Sequence, residues 1–166
     1  MKEKALIIGA STVGKTTLVN YLRTTTDFSV GESDEEIIKM NGGTWPTEDG
    51  VKMNVYAPRM VEDILGRDPI IFFSNTHYFN LDAIQKAKEN GFSIFHLILN
   101  REKMSERSDF RRKNEGYEDH TKYFESMLAY QNELSKSGLV DLEINTDKPV
   151  AEIANEILQS LESKSI

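Results

Sequence analysis

The stretch Gly9-Ala10-Ser11-Thr12-Val13-Gly14-Lys15-Thr16 decides the fold of this chain. It matches G-x-x-x-x-G-K-[ST], the phosphate-binding P-loop pattern. The apolar run at 5–8 precedes it and is typical of a buried parallel strand. The apolar residues after it have helical spacing and predict a helix over 15–24. The motif therefore lies between a strand and a helix, which is the context that a phosphate-binding loop requires.

Each key position of the motif has a physical role. Gly9 and Gly14 permit backbone angles that a side chain forbids, so that backbone N–H groups can turn inward around an anion. The N-terminus of the following helix adds about half a positive charge. Lys15 is expected to reach the β- and γ-phosphates, and the Thr16 hydroxyl to hold Mg²⁺. The nucleotide-binding residues predicted here are Gly9, Ala10, Ser11, Thr12, Val13, Gly14, Lys15, Thr16 and Thr17.

The composition limits the class of protein. A length of 166 residues predicts a single domain over 1–166. The net charge of −7 lacks the basic footprint that non-specific nucleic-acid binding needs. Cysteine is absent, which excludes disulfides and thiolate metal sites and agrees with a reducing compartment. No apolar run approaches the ~18–20 residues of a membrane span. We therefore expect a cytoplasmic protein, monomeric or homodimeric, whose partners are a nucleotide and a small molecule rather than nucleic acid or membrane.

Strands and helices alternate along the rest of the chain. Further strands are predicted over 28–30, 70–73, 92–99 and 139–144. Helices are predicted from about 33 to 40, over 51–66 with an interruption near Pro58, from 81 to 89, over 101–137 with a break near Gly116, and from 150 to 161. This alternation favours a parallel sheet covered on both faces, which binds its ligands at the carboxyl ends of its strands.

Two carboxylates, Glu32 and Asp34, follow the second predicted strand. One could hold a metal-bound water, and the other could accept a proton from an acceptor hydroxyl or orient that group. The alternative is a solvated acidic helix start, because Asp and Glu favour the first helical turn. The segment at about 32–66 is the predicted acceptor-binding region.

A basic segment follows the 92–99 strand. Residues 101–113 hold six basic and three acidic residues. Lys103, Arg107 and Arg111 lie at i, i+4 and i+8, so a helix aligns them on one face. Such cations can close over a triphosphate and neutralise charge that develops during phosphoryl transfer. We predict a lid at about 101–117; the alternative is a helix stabilised by Glu–Arg pairs.

Polar residues also follow the 70–73 strand. Asn75 and Thr76 suit recognition of an acceptor by hydrogen bonds, and no acid stands there as in a conventional Walker B motif. Arg59 could bind an anionic acceptor or simply be exposed. Trp45 and Tyr56 could stack on an acceptor ring or cover the core.

Four elements together resemble the small P-loop kinases of the adenylate kinase, shikimate kinase and gluconate kinase group. They are the loop at 9–16, the acids at 32–34, the basic segment and the run Asn145-Thr146-Asp147-Lys148-Pro149. The resemblance implies a three-layer α/β/α P-loop fold with a five-stranded parallel sheet of order 2-3-1-4-5 and a small lid.

The resemblance also implies residue roles. Glu32 would serve Mg²⁺ through water and Asp34 would bind the acceptor. Arg107 would pack on adenine, and Arg111 or Arg112 would be the lid arginine. Thr146 to Pro149 would border the adenine, with Asp147 and Pro149 among the nucleotide-binding residues. The implied activity is ATP- and Mg²⁺-dependent phosphoryl transfer, with Lys15, Asp34, Arg107 and Arg111 as the catalytic residues.

The chain departs from shikimate kinases in the acceptor region. Ser74-Asn75-Thr76 replaces a glycine-rich turn, and the substrate arginine expected shortly before Tyr130 is missing. We therefore predict a nucleoside monophosphate as the acceptor, with Arg59 meeting its phosphate and Asn75 and Thr76 contacting the rest. The alternative is a hydroxyl kinase of the shikimate or gluconate type.

Two readings of other classes use the same loop. A GTPase-like switch needs a guanine-reading Asn-Lys-x-Asp, whereas the residues after the 92–99 strand are Asn100-Arg101-Glu102-Lys103. A D-x-x-G match at Asp63–Gly66 falls in a predicted helix rather than after a strand. A catalytically inactive nucleotide-binding protein is the other alternative, and the intact Lys15 and Thr16 count against it.

Overall fold

A computed structural model describes residues 4–68 and 70–163. Five parallel strands form one sheet in the order β2-β3-β1-β4-β5, as predicted. The strands are β1 Lys4–Gly9, β2 Val30–Glu32, β3 Ile70–Ser74, β4 Ser93–Ile98 and β5 Leu142–Asn145. The single domain predicted over 1–166 includes residues 1–3, 69 and 164–166, which lie outside the described residues.

Helices cover both faces of the sheet. They are α1 Lys15–Thr25, α2 Ser33–Met40, α3 Ala57–Leu65, α4 Leu81–Glu89, α5 Arg101–Asn114, α6 Phe124–Lys136 and α7 Val150–Ser163. Side chains alternate across β1: Ala5 and Ile7 join the core under α1 and α7, while Leu6 and Ile8 join the core under α3 and α4. The continuous apolar runs in the strands are thus explained by burial on two faces. In the described ranges, no helix combines the length and apolarity needed to cross a bilayer.

The second strand forms two residues later than the sequence predicts. Phe28 is 38% exposed, whereas Val30, Gly31 and Glu32 pair with β3. Gly31 allows this pairing because a Cβ there would lie 3.0 Å from the Phe72 ring. The shift carries the Glu32 carboxylate to the ligand-binding edge of the sheet.

The segment before α3 has an unusual backbone. Lys52–Tyr56 forms a π-helical turn, and α3 begins directly after it with Pro58 in its first turn. Proline is tolerated there because its missing N–H is not needed in the first turn. This matches the interruption predicted near Pro58. At the other edge of the sheet, β5 begins at Leu142 rather than at 139, because its pairing with β4 starts at Phe95.

Candidate active site

The two glycines of the loop are required for different reasons. Gly14 has φ +91°, a left-handed conformation that strains residues with a Cβ. Gly9 lies in close packing, since a Cβ there would lie 2.6 Å from Val13 Cγ2 and 3.0 Å from Leu97 Cβ. The loop therefore has the compact backbone expected of a phosphate cradle.

Lys15 is buried inside the loop. Its Nζ donates hydrogen bonds to the Gly9 and Ala10 carbonyls at 2.9 and 2.7 Å. Burial lowers the Lys15 pKa to about 8, although Asp34 and Glu32 act in the opposite direction. The ammonium thus lies beside the loop and within the field of both acids.

Glu32 faces the first turn of α1. The Thr16 hydroxyl donates a 2.9 Å hydrogen bond to Glu32 Oε1, and the Glu32 side chain is largely buried. Burial raises the Glu32 pKa, and the bond from Thr16 partly opposes this. A hydroxyl and a buried carboxylate are oxygen ligands of the kind that Mg²⁺ prefers, so these residues fit the ion. Among the described residues no group of three or more acids and histidines could hold a metal alone.

Asp34 lies on the other side of this centre. Asn75 Nδ2 donates a 2.8 Å hydrogen bond to Asp34 Oδ1, and the Asn75 backbone N–H donates to Ser33 Oγ at 3.3 Å. Burial raises the Asp34 pKa, while the charges of Lys15 and Lys52 lower it. Asn75 therefore holds the Asp34 carboxylate at the carboxyl end of β3, and the acceptor contact predicted for its side chain stays a prediction.

Helix α5 covers the loop with two arginines. Arg107 donates to the Thr12 carbonyl at 3.2 Å and to the Thr146 carbonyl at 2.6 Å. Arg111 donates to the Ser11 carbonyl at 3.0 Å, and its guanidinium lies 4.1 Å from the centroid of the Tyr117 ring. These contacts place two guanidinium groups beside the predicted phosphate site.

The other basic residues of α5 point elsewhere. Arg112 pairs with Asp109, and Lys103 pairs with Glu106 on the exposed side of the helix. Of the two candidates for the lid arginine, Arg111 is thus the one that contacts the loop. The predicted alignment of Lys103 with the two inner arginines does not bring Lys103 to the site.

Three connected cavities surround the loop. The loop cavity, about 470 Å³, runs from the P-loop to the start of α7. The central cavity, about 150 Å³, is bordered by Lys15, Thr16, Glu32, Asp34 and Arg111. The aromatic cavity, about 1070 Å³ and open to solvent, begins at Asp34. Asp34 and Ser11 border both the central and the aromatic cavity, so a ligand in the aromatic cavity can reach the central one.

The far end of the loop cavity corrects two predicted contacts. Thr146, Lys148, Val150 and Ile153 line it there. Asp147 and Pro149 are exposed and do not line it. Successive side chains after the end of β5 point in alternate directions. Thr146 is therefore buried against Arg107, while Asp147 faces solvent. The predicted segment is therefore at the site, but through neighbouring side chains.

The aromatic cavity contains some of the predicted acceptor residues. Asn75 and Thr76 line it, and so does Trp45. Tyr56 does not; its hydroxyl donates to Asn41 Oδ1 at 2.9 Å, beside the core. Arg59 is exposed on α3 and borders a separate cavity with Met40, Glu62 and Asp63. The structure does not bring Arg59 to the site.

Several residues of this cavity were missed by sequence reasoning. Lys52 lies in the π-helical turn, and its Nζ is 5.2 Å from the centroid of the Trp45 ring and 5.9 Å from that of Tyr78. Tyr117 and Tyr123 border the cavity from the segment after α5. A helical pattern does not reveal a π turn, because the extra residue per turn rotates the side chains out of the regular period.

His77 is also part of this wall. It has φ +74°, a conformation that is uncommon for a residue with a side chain. Its ring lies 5.0 Å from the ring of Tyr130, whose hydroxyl donates to the Phe79 carbonyl at 2.5 Å. His120 borders the central and the aromatic cavity.

Comparison with known proteins identifies the fold. No family profile matches the sequence, and no curated protein matches it. A shikimate kinase from Acinetobacter baumannii in complex with shikimate has a TM-score of 0.76 at 19% identity, over 99% of this chain and 95% of that one.

Two further solved structures are similar over almost their whole length. A gluconokinase from Sinorhizobium meliloti 1021 has a TM-score of 0.65 at 17% identity, over 97% of this chain and 92% of that one. A tunicamycin resistance protein from Deinococcus radiodurans has a TM-score of 0.65 at 18% identity, over 96% and 95%. The chain thus has the fold of the small P-loop kinases, as the sequence predicted.

Proposed function

We propose that this chain is an ATP- and Mg²⁺-dependent kinase that transfers the γ-phosphoryl group to a hydroxyl of a small-molecule acceptor. The position of Asp34 is the main support. Its carboxylate borders both the central and the aromatic cavity and lies within the field of Lys15. A proton acceptor is thus held between a phosphate cradle and a second ligand cavity.

The nucleotide is proposed to occupy the loop cavity. The triphosphate would lie on the loop amides and beside Lys15, and the adenosine would extend toward Thr146 and Val150. Arg107 spans the loop and Thr146, so it is placed to contact the nucleotide where the phosphates meet the nucleoside. A bound phosphate would compete for Lys15 Nζ with the Gly9 and Ala10 carbonyls.

Thr16 and Glu32 are proposed to hold Mg²⁺. The ion, when bound, neutralises charge on the β- and γ-phosphates. Glu32 is buried beside the Thr16 hydroxyl, and its carboxylate could accept hydrogen bonds from metal-bound water. Thr16 would contribute its hydroxyl oxygen directly.

Asp34 is proposed to act on the acceptor. The acceptor oxygen attacks the γ-phosphorus, its proton passes to the Asp34 carboxylate, and the bond to the β–γ bridging oxygen breaks to release ADP. Burial already favours the protonated form of Asp34, which suits a group that takes up a proton during the reaction. Arg111 would stabilise charge on the transferred group, and closure of α5 would exclude water.

A hydroxyl acceptor is better supported than the nucleoside monophosphate predicted first. A phosphate nucleophile needs no base and would be repelled by a carboxylate in the position of Asp34. Arg59, the residue expected to meet its phosphate, lies outside the aromatic cavity. The solved structures that are similar to this chain include a shikimate kinase and a gluconokinase.

Release of ADP tests the proposal. The protein is incubated with Mg·ATP and a panel of sugars, hydroxy acids and nucleosides, and ADP is measured against an acceptor-free background. With an active acceptor, Asp34→Asn should lower kcat about 10²–10⁴-fold while leaving the Kd for ATP within about twofold. Asp63→Asn, a change in an acid that pairs with Arg67 away from the three cavities, is the matched control. Absence of ADP above background with every panel member would overturn the proposal.

A further inference from the structure

We infer that the acceptor is an uncharged hydroxyl compound carrying a planar ring, which the aromatic cavity binds between Trp45 and the tyrosines Tyr117 and Tyr123. This inference rests on the proposed function and names its acceptor class. The shape, charge and polar groups of the cavity each contribute to it.

Exposed apolar side chains are concentrated in this cavity. The large apolar residues that are exposed in the described chain are Phe28, Trp45, Met53, Val55, Phe110, Tyr117 and Tyr123. Four of these seven line the aromatic cavity. Grouped exposed apolar surface marks a binding site, because it is costly to leave in water. Rings and a thioether suit a planar apolar ligand, which can stack on them.

The charge of the cavity disfavours an anionic acceptor. The described charged side chains that line it are Asp34, Lys52, Glu115 and Glu118, three acids against one lysine. Lys52 is already held near the Trp45 and Tyr78 rings and interacts with Asp34. Within the described chain no arginine lines this cavity, so a carboxylate or phosphate would find no bidentate partner.

The remaining polar groups suit uncharged partners. Thr76 and Ser126 provide hydroxyls on the cavity wall, and Asn75 provides an amide beside Asp34. Such groups bind hydroxyl, amide or ether atoms without compensating a charge. A single ligand could thus place a hydroxyl next to Asp34 and a ring beside Trp45.

Matched acceptors separate the effects of ring and charge. One series is methyl β-D-glucoside, phenyl β-D-glucoside and phenyl β-D-glucuronide; the other is ribose, uridine and uridine 5′-monophosphate. Shikimate and gluconate are added as acids without an aromatic ring. Binding is followed by the fluorescence of Trp45, the single tryptophan of the chain, in the presence of ADP and Mg²⁺. Phosphoryl transfer is followed separately as ADP release from ATP.

We expect the uncharged compound with an aromatic ring in at least one series to bind about tenfold more tightly than its non-aromatic and its anionic counterparts. Tyr123→Leu and Tyr117→Leu should each reduce this preference. Phe28→Leu, which changes an exposed ring that lines none of the three cavities, should leave it unchanged. The tyrosine variants keep Trp45 as the reporter. Both tyrosines are exposed, and circular dichroism checks that the variants fold.

Each outcome has a defined meaning. Tighter binding of an acid or of a sugar without an aromatic ring, or no binding of either phenyl β-D-glucoside or uridine, overturns the inference. If that acid or sugar also stimulates ADP release from ATP, the kinase proposal stands although the inferred acceptor class is wrong. Conversely, if binding depends on the ring but no bound compound stimulates ADP release from ATP, the result supports the inferred ligand class and counts against the kinase proposal.

Discussion

The Thr16 hydroxyl and the Glu32 carboxylate are joined by a 2.9 Å hydrogen bond between the first turn of α1 and the end of β2. Sixteen residues separate them in the chain. The bond forms because β2 pairs with β3 through Glu32 and so carries this carboxylate to the mouth of the P-loop. It joins two oxygen ligands into one candidate Mg²⁺ site.

Disruption of this pair should weaken the response to Mg²⁺. Thr16→Val removes the hydroxyl, and Glu32→Gln removes the charge, so each should raise the Mg²⁺ concentration for half-maximal ATP turnover about tenfold. ATP affinity measured by calorimetry without Mg²⁺ should change little. Thr24→Val is the matched control, because the Thr24 hydroxyl bonds only to carbonyls of its own helix. An unchanged Mg²⁺ dependence in both variants would contradict the assignment.

Nucleotide binding should be linked to protonation of Lys15. Burial lowers the Lys15 pKa to about 8, so before ATP is added at pH 8 we expect the lysine to be neutral in about half of the molecules. A bound triphosphate favours the charged form, and the complex should take up about half a proton at that pH. Calorimetric titration with ATP in two buffers of different ionisation enthalpy measures this uptake. Lys15→Arg should abolish the buffer dependence, since arginine stays charged; wild-type enthalpies that do not differ between buffers would refute the linkage.

The two arginines of α5 should have separable roles. Arg111 contacts the loop at Ser11 and borders the central cavity, so Arg111→Ala should lower kcat about 10²–10³-fold. Arg107 reaches Thr146 at the other end of the loop cavity, so Arg107→Ala should mainly raise the KM for ATP, about tenfold.

Steady-state kinetics in ATP with an active acceptor distinguish these effects. Arg112→Ala is the control, because Arg112 pairs with Asp109 and lines none of the three cavities. Equal losses in all three variants would indicate general damage to the helix rather than distinct roles.

Protonation of His96 should destabilise the fold in acid. His96 is buried in β4 beside Glu143, and burial lowers its pKa below 6.5 even though Glu143 acts in the opposite direction. Above pH 6.5 the imidazole is neutral in the folded and unfolded states. As the pH falls below 6.5 the unfolded chain binds the proton first, so the free energy of unfolding decreases until the lower folded-state pKa is passed.

The difference in Tm between pH 7 and pH 5.5 measures this effect. It should be smaller in His96→Gln than in the wild type, whereas His120→Gln, at a partly exposed position, should retain the wild-type difference. The same acid loss of Tm in His96→Gln and the wild type would rule out this source of acid sensitivity.

The sequence predicted the elements whose causes are local. The spacing of Gly9, Gly14 and Lys15 specifies a backbone cradle; Gly14 has the left-handed backbone predicted for it, whereas Gly9 is required by close packing rather than by its backbone angles. The apolar runs predicted the central strands, and the resemblance supplied their order. The short edge strand was placed two residues early, because Val30–Glu32 is specified by pairing with β3 rather than by an apolar run of its own.

Positions that depend on helix rotation were predicted less well. Arg59 and Arg112 have the right charge in the right segments, yet packing of α3 and α5 turns them away from the three cavities. Lys52 enters the aromatic cavity because a π-helical turn interrupts the regular helical period.

By itself, the sequence determined the phosphate cradle, since glycine conformations and strand–loop–helix order depend on neighbouring residues in the chain. Tertiary structure alone decided that Glu32 meets Thr16, that Arg111 covers the loop, and that aromatic rings from distant segments form one cavity. The physical reason is that strand register and helix rotation are set by burial of the shared core, and side chains far apart in sequence converge only after that packing is complete.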